Sequence, residues 1–199
     1  MDSEQLIAKH PVLWHLAHAD SWPSIERQGL LSSQEIVRRW EVPKSDAEQL
    51  LSSRRPESVV LDDPTLGRAV LRDQHPLSEA RLGPILTDGM TVAEWLRLLN
   101  SMVFFFPEEK GMRTLYAAYS REPAVAIRIR TRSLLSLHGS RVRLAGINTG
   151  YTMRKPALRG RDTFQPVRRY DERQRKVQEV AVLEELADLR DHLLSVEHL

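Results

Sequence analysis

The chain has 199 residues, 41% hydrophobic and 28% charged, and no cysteine, which excludes a disulfide scaffold, a thiol nucleophile, an iron–sulfur cluster and zinc held by sulfur. No apolar run approaches the roughly 18 residues of a membrane span, and MDSEQLIAKH lacks the apolar stretch of a signal peptide, so a cytoplasmic protein without a membrane partner is expected. Net charge is +2, but residues 121–176 hold 15 Lys or Arg against 4 Asp or Glu, a local +11 that leaves −9 elsewhere.

Residues 12–17 alternate and predict a strand, with Val12, Trp14 and Leu16 on one face and Leu13, His15 and Ala17 on the other. Asp20 or Ser21 caps a short helix through Gln28, with Pro23 in its first turn and Gly29 just past its end. Two more helices are predicted over 30–40 and 45–53, the second opened by Ser45 with Glu48 three residues on. Residues 54–86 are less regular, with apolar runs at 59–61 and 69–71. Thr91 and Glu94 form a capping box for a helix ending near Asn100. An apolar strand over 102–106 then stops at Pro107.

Residues 111–121 are helical by pattern, with Met112, Leu115, Tyr116 and Tyr119 on one side. Residues 124–130 alternate, with Val125, Ile127 and Ile129 inward and Arg128 and Arg130 outward. His138-Gly139-Ser140 reads as a turn before another strand over 142–147. A long polar loop over 148–169 follows, of a length that is usually functional or disordered. A last strand over 177–183 precedes an amphipathic helix from 189 to about 195. Helices come early and strands late, so residues 1–199 read as one α+β domain with a mixed, mostly antiparallel sheet and flanking helices.

Seven histidines invite a metal, but no pair has H-E-x-x-H spacing, and His15 and His18 fall on opposite strand faces, so no metal site is expected. Phosphate-binding glycine loops and a G-x-S-x-G elbow are also missing. Three strand segments carry the remaining chemistry: one bears His15, one bears Phe104, Phe105 and Phe106, and one bears Glu179 within VQEVAVL. A carboxylate among β-branched residues is costly if buried unpaired; the alternative is a Glu179 that faces solvent. Arg72-Asp73-Gln74 is a further polar cluster directly after an apolar run. Arginine supplies 24 of the 29 cations, and guanidinium forks suit phosphates.

VLWHLAHADSWPSIERQGLLS, VFFFPEEKGMRTLYAAY and VQEVAV resemble, in that order, three segments of ADP-ribosyltransferase-fold proteins, especially the DarT-type toxins that modify DNA. These segments are the histidine strand with its helix, the second aromatic strand with its helix, and the strand presenting the catalytic glutamate. VLRDQHPL, LLNSMVFFFP, GINTG and RGRDTFQPV are similar to a related group of bacterial proteins. The resemblance implies a split sheet, NAD as cofactor and, for a toxin, an antitoxin protein as partner. Glu179 then matches the catalytic carboxylate on the ribose 2′-hydroxyl, and His15 the group on the nicotinamide ribose and amide. The aromatic residue packed on nicotinamide falls among Phe104, Phe105 and Phe106. Arg72 takes the place of the family's catalytic arginine, with Arg54 and Arg55 as competitors, and Asp73 and Gln74 join the cofactor site beside it. Arg154, Lys155, Arg159, Arg161, Arg168 and Arg169 are expected to contact the phosphates of DNA or RNA.

The function implied is transfer of ADP-ribose from NAD to a macromolecule, with nucleic acid as the candidate. Cleavage of the nicotinamide–ribose bond passes through an oxocarbenium-like state, which a carboxylate stabilises. One alternative is a non-catalytic nucleotide- or nucleic-acid-binding module of the same fold. The other is an RNA 2′-phosphotransferase, which requires a His–Arg–Arg set that spacing alone does not place.

Overall fold

A computed structural model describes residues 1–119, 122–154 and 156–199. An Asp2–Gln5 capping box opens α1 (Ser3–Lys9), and β1 (Val12–His18) follows. Pro23 lies in the first turn of α2 (Trp22–Gln28), which ends at Gly29 with φ 82°, a conformation that favours glycine. Ser21 precedes that helix without a side-chain cap bond, because its Oγ instead accepts from the Val70 amide. Next come β2 (Leu30–Leu31), α3 (Ser33–Arg39) and α4 (Lys44–Ser52). The irregular stretch contains a hairpin, β3 (Val59–Asp63) and β4 (Gly67–Leu71), and then α5 (Glu79–Leu82). Both halves of the Thr91–Glu94 capping box are formed at the start of α6 (Val92–Asn100).

The second half runs through β5 (Met102–Phe105), α7 (Glu109–Ala118), β6 (Ala124–Arg130), α8 (Thr131–His138) and β7 (Val142–Ala145). It ends with β8 (Gln165–Pro166), β9 (Glu179–Leu183), β10 (Glu185–Leu186), α9 (Leu189–His192) and β11 (Leu193–His198). Helix α8 stands where a turn at His138 is predicted; the turn begins only at Gly139, after Leu134 and Leu135 have been buried. The predicted helix over 189–195 stops at His192, because β11 pairs with the free side of β6. The helix predicted over 30–40 loses its first residues, since β2 pairs with β10. In each case a distant strand partner or a burial demand overrides local pattern.

The fold is α+β, with a three-stranded sheet β11-β6-β1 and a four-stranded sheet β5-β9-β7-β8. Every strand ladder among the described residues is antiparallel, and the parallel contact is an isolated Leu86–Arg159 bridge. The two sheets meet at one rung: Trp14 donates to Phe106 O at 3.0 Å and Phe106 donates to Trp14 O at 2.7 Å. In an antiparallel ladder the next such rung would pair Leu16 with Phe104, and that rung is missing. The strands part there.

Alternation sorts the core onto two faces. Leu13, Ala17, Val103, Phe105, Ile127 and Val180 share one cluster. On the other face, Trp95, Leu96, Phe164 and Ala181 pack under α6, while Trp14, Leu16, Met112 and Ala126 pack under α7. No helix among the described residues is long and apolar enough to cross a membrane.

Gly29 is the tightest joint in this arrangement. A Cβ there would meet Leu186 O and lie 2.6 Å from the Ala187 Cα, backbone against backbone. Gly29→Ala is expected to lower the unfolding free energy by about 2–4 kcal/mol in urea titrations; a change within ~0.5 kcal/mol would mean that the β2–β10 contact is not tightly packed.

Candidate functional site

The missing rung creates a cleft. The Nδ1 of His15 lies 2.8 Å from Phe104 O, and because a carbonyl only accepts, that nitrogen carries the proton. The imidazole therefore caps the carbonyl that Leu16 would otherwise have paired. Its ring rests against Phe105, with centroids 5.6 Å apart. Burial and the nearby Arg72 charge, opposed by the Phe104 bond, push His15 down to about 4. The imidazole is thus neutral at physiological pH, and Nε2 is left as an acceptor. Alternation also turns the N–H and C=O of Leu16 and the N–H of Phe104 toward the gap, where none of them has a partner among the described residues.

The cleft opens into a cavity of about 270 Å³ whose lining includes His15, Leu16, Arg55, Arg72, Asp73 and Phe104. All three guanidinium nitrogens of Arg72 are buried without a hydrogen bond among the described residues. Its nearest ionic neighbour, Glu122, lies 3.8 Å away, and the Tyr119 ring lies under the guanidinium at 4.7 Å. Arg55 is buried, and donates to Arg72 O, Leu50 O and Asn100 Oδ1. His15, Arg55 and Arg72 thus line one cavity.

Asp73 is the carboxylate among the described lining residues, and it is already engaged. It accepts from the Tyr119 hydroxyl at 3.1 Å and the His75 amide at 2.9 Å, with His75 Nδ1 at 2.6 Å. These bonds hold it below the usual carboxylate range despite the opposing effect of burial. Gln74, expected in the cofactor site, is not part of the lining; its Oε1 accepts from the Arg55 amide and braces the loop. The three phenylalanines separate. Phe104 lines the cavity, Phe105 is core, and Phe106 lines a second cavity of about 610 Å³.

Glu179 lines that second cavity and not the first. It shares the sheet face of Ala181, whereas His15 shares that of Ile127 and Phe105. The two residues expected to act together therefore project from opposite faces. The Glu179 carboxylate is 9% exposed and accepts from the Thr149 amide and from Thr149 Oγ1 at 2.6 Å. Burial, opposed by these Thr149 bonds and the Arg159 charge, pushes its carboxyl up to about 7.

The basic segment needs one correction. Arg159 is buried, and its guanidinium donates to the carbonyls of Thr149, Tyr151 and Ala157, so it braces the loop behind Glu179 and does not face solvent. Arg154, Arg161, Arg168 and Arg169 are exposed, Arg161 facing Glu94 at 3.3 Å. Lys155 lies outside the described residues.

His138, Asp188 and His192 also meet, a cluster that the sequence reading missed. Arg141 approaches His138 Nδ1 at 2.7 Å and can only donate, so Nε2 carries the proton and donates to Asp188 at 2.7 Å. The cluster clamps α9 to α8. The Asp188–His192 spacing of four residues was the available sequence signal.

A model of DUF7002, described as a family of unknown function, matches residues 11–193. No curated protein and no solved structure matches the chain.

The protonation of Glu179 has a testable consequence. Its carboxyl moves from an ordinary 4.5 to about 7 on folding. Its favourable share of stability is therefore complete below the lower value and lost as pH rises through the upper one. Glu179→Gln cannot ionise, so the variant should match the native chain near pH 5 and exceed its stability by roughly 2–3 kcal/mol at pH 8. Urea titrations across that range check this; a difference independent of pH would place the carboxyl at its ordinary value.

Proposed function

The chain belongs to DUF7002, and for it we propose that the cleft between β1 and β5 binds NAD by its nicotinamide end, in a split sheet of the ADP-ribosyltransferase kind. The observation that carries this reading is the missing Leu16–Phe104 rung. A primary carboxamide needs one acceptor and one donor side by side, and the free C=O and N–H of Leu16 supply both. His15 Nε2 accepts from a ribose hydroxyl, and Arg72, whose guanidinium has no hydrogen bond among the described residues, is the cation for phosphate once it is uncovered.

What the cleft does with bound NAD follows from its charges. Breaking the C1′–N bond sends the bonding pair to nicotinamide and leaves an oxocarbenium-like ribose for an acceptor to attack. A neutral acceptor must lose a proton, but Asp73 is held by three nitrogen and oxygen groups and Glu179 lies on the other sheet face. A phosphate acceptor brings its own anionic oxygen and needs cations to hold it. His15, Arg55 and Arg72 in one cavity supply the His–Arg–Arg set. This favours a phosphate group on RNA as acceptor over a base modified through Glu179, and the exposed Arg154, Arg168 and Arg169 suit the strand that carries it.

NAD at ~100 times its dissociation constant should stabilise the fold by about 2.7 kcal/mol, read as a thermal shift that His15→Ala abolishes. No shift with millimolar NAD would overturn the reading. Incubation with NAD and an oligoribonucleotide bearing a 2′-phosphate should release nicotinamide as the phosphate oxygen bonds to the ribose C1″; attack of the neighbouring ribose 2″-hydroxyl on phosphorus then expels the RNA 2′-hydroxyl and carries the phosphate away as a cyclic diester on ADP-ribose. Modification of an unphosphorylated oligonucleotide, lost in Glu179→Gln, would restore Glu179 as the catalytic carboxylate.

A further inference from the structure

We infer that His138, Asp188 and His192 bind a divalent transition metal of the zinc class, at a site separate from the His15 cleft and independent of what that cleft binds. None of the three lines the cleft. One ligating atom from each, two imidazole nitrogens and a carboxylate oxygen, lies within 4.8 Å of the others. Two imidazoles and one carboxylate are a donor set that suits zinc. Calcium and magnesium call for six or more oxygens, which this cluster does not offer. The expectation of no metal rested on local spacing, and His138 stands 50 positions before Asp188.

The observation that points to an ion is His192 Nε2. The imidazole is fully buried, and this nitrogen has no hydrogen-bond partner among the described residues. The other ring nitrogen is fixed. Ser133 Oγ gives its one proton to Arg130 O at 3.2 Å, so it accepts from His192 Nδ1–H at 3.0 Å. In the neutral ring Nε2 then carries a lone pair, 3.4 Å from Asp188 Oδ1, acceptor facing acceptor. Two bonds of about 2.0–2.1 Å to one tetrahedral ion hold their donor atoms about 3.4 Å apart, so this separation already fits a shared metal. A hydrogen bond at one imidazole nitrogen that aims the other is also how histidine ligands are oriented. The His138 ring meets the His192 ring edge-on, with centroids 5.3 Å apart, and turns its own Nε2 to the same carboxylate.

His138 has to adjust. Its Nε2 donates to Asp188 Oδ1 at 2.8 Å while Arg141 donates to Nδ1 at 2.7 Å. Coordination requires the Nε2 lone pair, so the proton passes to Nδ1 and Nε2 draws back from Oδ1 by about 0.6 Å. Arg141 then keeps only its contact with Leu183 O. This arginine therefore opposes the ion, both as a donor to Nδ1 and as a charge. The Asp188 side chain is 32% exposed, which gives the ion a way in and leaves its fourth position to water. A metal here fastens α9 to α8 and steadies the start of β11 on β6.

Calorimetry on the full chain, stripped with EDTA and titrated with zinc chloride, tests the site. One zinc should bind per chain with a micromolar or tighter Kd, and cobalt chloride should give the visible d–d bands of a tetrahedral ion. Asp188→Asn, which keeps the shape and an acceptor for His138, should weaken zinc at least ~30-fold. His198→Ala, at an exposed histidine, should leave the affinity unchanged. Arg141→Gln removes the opposing charge and offers Nδ1–H an acceptor, so it should tighten zinc by about 10-fold. A cluster that only clamps two helices gains nothing from that change. The native chain and Arg141→Gln decide the matter even where Asp188→Asn folds poorly. Absence of zinc binding, native affinity in Asp188→Asn, or no gain in Arg141→Gln each overturns the inference, and none of them touches the reading of the His15 cleft.

Discussion

One imidazole N–H keeps the two sheets apart. The carbonyl of Phe104 points across the gap toward Leu16, and in an unbroken ladder the Leu16 amide would take it. His15 Nδ1 takes it instead, at 2.8 Å. A buried carbonyl is thereby satisfied without closing the rung, and the open edge survives folding. The same bond fixes the tautomer. With the proton on Nδ1 and the ring neutral, Nε2 is committed to accepting, and the adjacent Leu16 edge keeps one donor and one acceptor free. Phe105 behind the ring completes the support, since its own position is set by the core on that face. The binding chemistry of the cleft follows from this single substitution of a side chain for a backbone donor.

Local features are legible in the amino-acid sequence. The Thr91–Glu94 box, the Gly29 stop and the alternation of β6 require only near neighbours, and these elements form as predicted. Features decided by distant partners are not legible in that way. Helix α9 ends early because β6 has a free edge, and β2 exists because β10 lies beside it. The site follows the same division. His15 on a strand and Glu179 amid apolar neighbours are visible in the sequence, but whether they share a face depends on the register of β1, β5 and β9 together. Shifting a strand by one residue exchanges its faces. Arg55 and Arg72 read as rivals for one role because they are 17 positions apart; the hairpin between them folds back and brings both to one cavity.

The segregation of arginines along the chain has two physical meanings that composition cannot separate. Arg159 is an interior brace: three carbonyls hold its fork, and its charge moderates the buried Glu179. Arg154, Arg168 and Arg169, in the same polar stretch, are exposed. Guanidinium serves both purposes because its planar donors can satisfy several carbonyls of an irregular loop as readily as a phosphate. The described residues of the loop over 148–169 are therefore held in part from within. Its buried members also anchor it outward: Thr149 bonds Glu179, Thr152 accepts from the Ser78 amide, and Phe164 stacks on Trp95.

Arg72 shows most directly where stability has been given up. A guanidinium buried with no hydrogen bond among the described residues costs free energy that the Tyr119 ring and a carboxylate at 3.8 Å offset only in part. Single buried atoms elsewhere share the lack, at Trp95 Nε1, Arg128 Nε and His192 Nε2, but at Arg72 the whole fork is without a bond among the described residues, whereas Arg55, Arg159 and Glu179 are each held by at least two polar contacts. On the proposed function, a cleft residue whose whole fork is unpartnered is the group that a ligand would complete. The ligand proposed for this cleft is anionic, because the lining holds two guanidiniums and a neutral imidazole, and its carboxylate is engaged. All three Arg72 nitrogens are solvent-inaccessible, so a phosphate that relieves them must first displace the groups that cover the guanidinium. On that proposal, part of the free energy withheld from folding at this point is returned on binding, less the cost of uncovering the guanidinium.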